Sequence, residues 1–442
     1  MLFYTLPYLI IFLPVSILLF FSVKFLKIDN KIILIFLSLF FYSWWNIFYL
    51  PVILLSIAVN YYFTKKILGN FAKSKIYLFF GIFINILILA TFKYADFFIL
   101  NINAVFSSEI KFLNIPFPLA ISFFTFQSIA FLINAYDGEI LNFKAKDFCL
   151  FIVFFPQLIA GPIVRYNHMM PQFNENNNRV FNKKNFTIGL IILTIGFIKK
   201  VYFANSLATY VDTSYQNIET LEFFSSWISS LCFTFQIYFD FTGYVDMATG
   251  SALMINISLP RNFNSPLKST SIIDYWQRWH ITLSNFLTNY VYNPWLRSLK
   301  KINFFNSMSL IFYVFLIAGI WHGPSWNFVL YGALQGFGVI INHSFKNYIN
   351  IKIPKILAWF ITFNFVNISF IFFRISDISD SITILKKMYN FKALIKNNFD
   401  YLKDDYLLMF ISDLNLIACF FLSIVICFFS KNSYDLIKEL KE

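Results

Sequence analysis

Apolar runs about twenty residues long, the length a helix needs to cross a bilayer, recur from one end of this chain to the other. Clear ones occupy residues 2–23, 76–100, 112–136, 186–211, 223–245, 308–342, 354–374 and 406–430. A further run, 32–64, is too long for one upright span, and it lies between Lys24, Lys27 and Lys31 on one side and Lys65, Lys66, Lys73 and Lys75 on the other. Cytoplasmic loops collect Lys and Arg. Both flanks therefore read as cytoplasmic, the run as a bent pair turning near Trp44, Trp45 and Pro51, and the N-terminus as outside. The first run has no basic leader and no small-residue cleavage site, so it reads as a retained span.

Composition closes off the soluble alternative. Charged residues make up 13% of the 442, about half the share of an ordinary soluble domain. No aqueous fold of this size has interior enough for 62 Phe together with the aliphatics. The net charge of +13 would point to nucleic acid in a soluble protein, but here the basic residues sit in short clusters between apolar runs. That is topogenic charge, and no nucleic-acid partner is expected. Cys149, Cys232, Cys419 and Cys427 lack zinc or redox spacing and read as small buried hydrophobes, so no metal is expected.

The middle of the chain behaves differently. Pro156, Gly161 and Pro162 interrupt the apolar stretch 148–165, which reads as re-entrant. Residues 246–270 hold Asn256, Arg261, Asn262, Asn264 and Lys268 among small and apolar residues, and 274–297 are a polar-aromatic mixture. Irregular or polar backbone at membrane depth must be buried in protein or line a cavity. Residues 120–340 should therefore build one, which favours an enzyme or a transporter over a passive anchor. Basic groups at Arg165, Arg179, Lys183, Lys184, Lys199, Lys200, Arg297, Lys300 and Lys301 read as cytoplasmic charge, or as a landing surface for an acidic acyl carrier or a CoA phosphate. Residues 377–405 read as an outside loop or surface helix, and 431–442 as a short polar helix. With no internal repeat and no soluble domain, residues 1–442 form a single membrane domain on this reading.

Four histidines bear on the chemistry. His322 lies between apolar runs in Ala318-Gly-Ile-Trp-His-Gly-Pro-Ser-Trp-Asn-Phe328. An ionisable group at membrane depth is a functional hypothesis in itself, and imidazole suits general-base work near neutral pH. Gly323 and Pro324 break the helix just after it, and the competing reading is a structural histidine bonded to a neighbour such as Asn327. His280 lies in Asp274-Tyr-Trp-Gln-Arg-Trp-His-Ile-Thr-Leu-Ser284, too polar for lipid and too aromatic for a loop. On a helix Trp276, His280 and Leu283 would share a face while Arg278 points elsewhere, as in a cavity wall. His168 falls in a polar loop and His343 at the end of an apolar run; neither calls for a role. Asp240 and Asp246 are costly in lipid unless paired, with Arg261, Arg278 or a lysine as partner. No nucleophile elbow, phosphate loop or metalloprotease motif is present. A histidine without a protein nucleophile suits direct transfer from a thioester to an alcohol. A transporter or flippase coupled through Asp240, Asp246 and the histidines is the alternative, with the missing inverted repeat against it.

In its motifs the chain resembles the membrane-bound O-acyltransferase family, in the bacterial branch that modifies polysaccharides. The blocks that carry the resemblance are Ile121-Ser-Phe-Phe-Thr-Phe-Gln-Ser128, Phe155-Pro-Gln-Leu-Ile-Ala-Gly-Pro162, Gln236-Ile-Tyr-Phe-Asp-Phe-Thr-Gly-Tyr244, Leu259-Pro-Arg-Asn-Phe-Asn264, Tyr275-Trp-Gln-Arg-Trp-His-Ile-Thr-Leu-Ser284 and Gly319-Ile-Trp-His-Gly323. The resemblance implies an all-α polytopic fold, a ring of about ten to twelve spans plus re-entrant segments around a thin core with a tunnel, the family core covering 110–345. It places the essential histidine on His322 and a second, supporting one on His280, with Trp321, Asn327, Trp276, Arg278, Asp240 and Asn264 as candidates for the tunnel wall. It implies no bound cofactor, an acetyl-CoA or other acyl thioester donor or carrier on the cytoplasmic side, a polysaccharide acceptor outside, and a periplasmic or surface SGNH-type partner that completes the transfer. Peptidoglycan is the favoured acceptor. Another exopolysaccharide and D-alanylation of teichoic acid are the alternatives. Where the family usually has an acidic residue and a Tyr-x-Pro-Leu-Gly-Gly turn, this chain has Asn289-Tyr-Val-Tyr-Asn-Pro-Trp-Leu-Arg297.

Overall fold

The structure is a computed structural model that describes residues 1–26, 29–349, 351–391 and 404–442. Lys27 and the distal part of the 377–405 segment lie outside the described residues. Among those described, all regular structure is helical, as it must be where lipid leaves backbone N–H and C=O groups no water to bond. Among the described residues six helices are long and apolar enough to cross a membrane: Ile47–Gly69, Phe71–Phe106, Lys183–Gln216, Phe304–His322, Trp326–Ile349 and Lys355–Arg374. Asp405–Ser412 and Leu414–Phe429 add a pair bent by 83°. This is a multi-pass membrane protein.

The described residues divide into two compact units. The first comprises Met1–Thr194, Tyr244–Arg261 and Leu440–Glu442. Its main helices are α1 (Asn30–Ser43), α2 (Leu50–Gly69), α3 (Ser74–Phe106), α4 (Ile121–Tyr136) and α5 (Ala145–Val153). The long 32–64 run is the bent pair read from the sequence: α1 ends at Ser43, and Pro51 starts α2 in its first turn, where proline has no N–H to lose. The run 112–136 is helical only from Ile121, because Pro116 and Pro118 disfavour helix in the residues before them and Asn114 and Ala120 are left-handed. The 148–165 stretch breaks as expected. It forms α5, then one turn at Phe155–Leu158, then buried non-helical chain through Val164.

Buried polar pairs tie this unit together. Asn60 on α2 and Asn85 on α3 exchange hydrogen bonds of 3.1 and 2.7 Å through their carboxamides. Lys31, which the sequence placed in a basic flank, is instead buried. It donates to Asp147 at 2.6 Å and to Asn174 at 2.5 Å. In an apolar surround such groups persist only when paired.

The second unit comprises Ile195–Gly243 and Asn262–Glu439. Helix α6 (Phe223–Met254) contributes its part up to Gly243. There follow α7 (Ile272–Arg278), α8 (Ile281–Leu287), α9 (Phe304–His322), α10 (Trp326–Ser344), α11 (Lys355–Arg374), α12 (Ile378–Met388) and, at the tail, α13 (Ser433–Lys441) as far as Glu439. The apolar run 308–342 is thus two helices. Gly323 ends α9, and the Ser325 hydroxyl oxygen accepts from the Asn327 N–H at 3.1 Å to start α10.

The two helices then meet backbone to backbone. A Cβ at Gly319 would overlap the Phe328 carbonyl and sit 2.9 Å from the Gly332 Cα; one at Gly332 would overlap the Phe315 carbonyl. Gly332 and Gly336 stand four apart on that face, the spacing by which small residues let membrane helices approach closely. The predicted tail helix is present as α13. Its cap, Asn432, donates to the Ser265 hydroxyl at 3.2 Å and to the Asp435 carboxylate at 2.6 Å.

Candidate active site

The eight residues assigned to the catalytic pair and the tunnel wall lie in the second unit, whereas Asp246 and His168 lie in the first. His322 is the last residue of α9, half-buried, with its ring 5.0 Å from those of Trp321 and Phe373 and 5.9 Å from Tyr331. The helix must stop here. Gly323 adopts an extended backbone, and a side chain on it would overlap the Phe328 ring. The imidazole therefore sits at a helix end, on an aromatic wall supplied by α10 and α11.

His280 is held by other means. The sequence favoured a helix through it, but the chain breaks between α7 and α8, and His280 is left-handed at φ 45° and ψ 51°. A residue with a Cβ keeps such a conformation only where its surroundings impose it. Here the non-helical segment 262–264 does so. The Asn264 N–H donates to the Arg278 carbonyl at 2.9 Å, and the Ile281 N–H donates to the Asn262 carbonyl at 2.9 Å. The Asn262 side-chain oxygen accepts from the Thr282 N–H at 3.1 Å and from its hydroxyl at 2.9 Å. The His280 carbonyl in turn starts α8, accepting from Leu283 and Ser284. The ring is fully buried, 4.8 Å from Phe241 and 6.2 Å from Trp321, and its Nδ1 has no partner among the described residues. Burial pushes this imidazole down to about 3, so it is neutral at physiological pH.

Trp321 thus touches both histidine rings. Trp276, on α7, donates its indole N–H to the Gln335 side-chain oxygen at 3.0 Å, and Gln335 donates on to the Ser369 hydroxyl at 2.7 Å. That chain fastens α7 to α10 and α11. Beside Trp276 lies a cavity of about 490 Å³, walled mainly by apolar residues of α7 to α10, among them Ile281, Val314, Phe315 and Val339. His343, which the sequence left without a role, also lines it.

The other candidates are held in polar pairs. Arg278 meets Asp274 one turn away at 2.7 Å. Asp240 pairs with Lys200 at 2.8 Å, a lysine partner being one of those the sequence allowed. Asn327 is fully buried. Its amide donates to the Ile375 and Asp377 carbonyls at 2.6 and 2.9 Å and to the Ser381 hydroxyl at 3.0 Å, which pins the start of α12. Asn264 takes part in the loop pairing through its backbone. Asn262 stood in the sequence only as one of several polar residues of 246–270, without a role, while Gln335 and the Gly319–Gly332 contact escaped the sequence reading; for the glycines, the Gly332–Gly336 spacing was the available signal.

Residues 139–378 match the model of the membrane-bound O-acyltransferase family. A peptidoglycan O-acetyltransferase of Helicobacter pylori is 41% identical over 81% of this chain and 73% of its own length. A probable alginate O-acetylase of Pseudomonas aeruginosa is 32% identical over 87% and 74%. A teichoic acid D-alanyltransferase of Bacillus subtilis is 29% identical over 58% and 68%.

Proposed function

The chain belongs to the membrane-bound O-acyltransferase family, and on that footing we propose that it moves an acetyl group from a cytoplasmic thioester to peptidoglycan outside the cell. It works at the cytoplasmic membrane with its N-terminus outside, and an SGNH-type partner at the surface completes the delivery. The observation that carries this reading is the pair of imidazoles joined through one tryptophan ring, one at a helix end and one in an enforced left-handed turn. The relative with 41% identity favours peptidoglycan over alginate or teichoic acid.

The chemistry needs no protein nucleophile. His322, with one ring nitrogen unprotonated, takes the proton of the attacking hydroxyl while that oxygen adds to the thioester carbonyl. Collapse of the tetrahedral intermediate breaks the C–S bond, and the leaving thiolate takes the proton back from His322. Neutral His280 supports the acyl group by hydrogen bonding, since charge at this buried position is disfavoured. The donor, acetyl-CoA or another acyl thioester, needs no cofactor held by the protein. Its arm fits the apolar cavity beside Trp276, which is within the range of small-molecule sites. Asn327, Arg278, Asp240 and Asn264, engaged as they are with protein groups, shape the wall of the path.

The decisive test is His322→Ala in a membrane-inserted protein, read as O-acetyl ester released from isolated cell wall. The reading requires ester to fall by about 100-fold or more. Ester unchanged by the substitution would overturn it.

A further inference from the structure

His280 occupies a backbone conformation that its own side chain disfavours, so some other group must supply the difference. The contacts on the two residues that follow it converge on one residue. Asn262 takes the Ile281 N–H on its backbone oxygen, and the Thr282 N–H and hydroxyl on its side-chain oxygen. Its neighbour Asn264 takes the other side of the turn by donating to the Arg278 carbonyl. Asn262 is 1% exposed, and its Nδ2 has no partner among the described residues, so the carboxamide is held through oxygen alone.

We infer that Asn262 is a positioning residue for His280, its side-chain oxygen fixing the turn that aims the imidazole at the acyl group. This rests on the acyl-transfer reading above. A group that acts only through His280 must be silent once His280 is gone, whereas a group that merely supports the fold is not.

The test uses the full chain in cells and measures the rate of O-acetyl ester accumulation per membrane-inserted protein. Asn262→Ala is expected to lower the rate by about 10- to 100-fold, the cost of misplacing a catalytic group. Asn262→Asp keeps an oxygen acceptor in the same shape, with burial holding the new carboxyl protonated, and should be clearly faster than Asn262→Ala. Thr282→Val, which removes the hydroxyl contact alone, should fall between them. Neither Asn262→Ala nor Thr282→Val should lower the rate further in a His280→Ala background. Should Asn262→Ala fail to insert, Thr282→Val carries the same comparison. Multiplicative losses in the double variants, or Asn262→Asp as slow as Asn262→Ala, overturn the inference. A wild-type chain that adds no His322-dependent ester removes the reading beneath it and the inference with it. A wild-type rate left unchanged by the Asn262 variants removes the inference alone.

Discussion

The two histidines of the site are positioned in opposite ways. His322 sits on packing: two helices joined at bare glycine backbone, a helix stop, and rings from Tyr331 and Phe373. His280 sits on hydrogen bonds: short helices, a non-helical segment and a polar clamp around one strained residue. A regular helix fixes where a side chain starts but leaves its neighbours to chance, so His322 needs close packing. A loop can place a side chain anywhere, but only if each backbone group finds a partner.

Substitutions at the packed glycines should break the first arrangement outright. Gly319→Leu forces the α9 and α10 backbones apart, and overpacking of this kind costs about 1–3 kcal/mol. Ester formation should fall to near the His322→Ala level, with a lower thermal midpoint in detergent. Near-normal activity would show that His322 does not depend on the helix contact.

His280→Gln should be milder in rate and distinctive in pH. We expect a loss of about tenfold or more in a protein that inserts normally. Below pH 6.5 an unfolded chain protonates this imidazole, while the folded protein refuses the proton until about pH 3. Stability therefore falls as pH drops from 6.5 toward 3. The glutamine variant should show a shallower decline of its thermal midpoint across that window. Parallel curves would mean that the imidazole is protonated in the folded protein.

Filling the cavity separates donor binding from both histidines. Val339→Trp should raise the apparent KM for acetyl-CoA by about threefold or more while sparing turnover at saturation, the signature of lost uniform binding. A pure loss of kcat would move the donor arm elsewhere. The smallest effect belongs to Asp240→Asn. The Lys200–Asp240 pair is partly open to solvent, and such pairs contribute about 0–1 kcal/mol. Ester formation should stay within about twofold, and a large loss would make Asp240 a participant in the chemistry.

What the sequence disclosed follows the same division. Most of the apolar helices, the bend near Trp44 and the break after His322 were legible because each is encoded within a few neighbouring residues. The left-handed turn at His280 was not. Its cause lies at Asn262, and only the folded chain brings the two segments together. Lys31 and Lys200 read as basic flanks for the same reason, since Asp147 and Asp240 are remote in sequence. His343 looked merely interfacial because a cavity is made by several helices and belongs to none of them.

The hydrogen bonds from Asn432 to the 264–265 turn have a consequence in time. A ribosome delivers the His280 loop to the membrane long before it delivers α13, so the loop waits in a looser state while the rest of the chain is threaded. Fusions placed against α13 should then be felt at the proposed site, and a tag chosen for convenience would report on a slower enzyme than the one the cell makes.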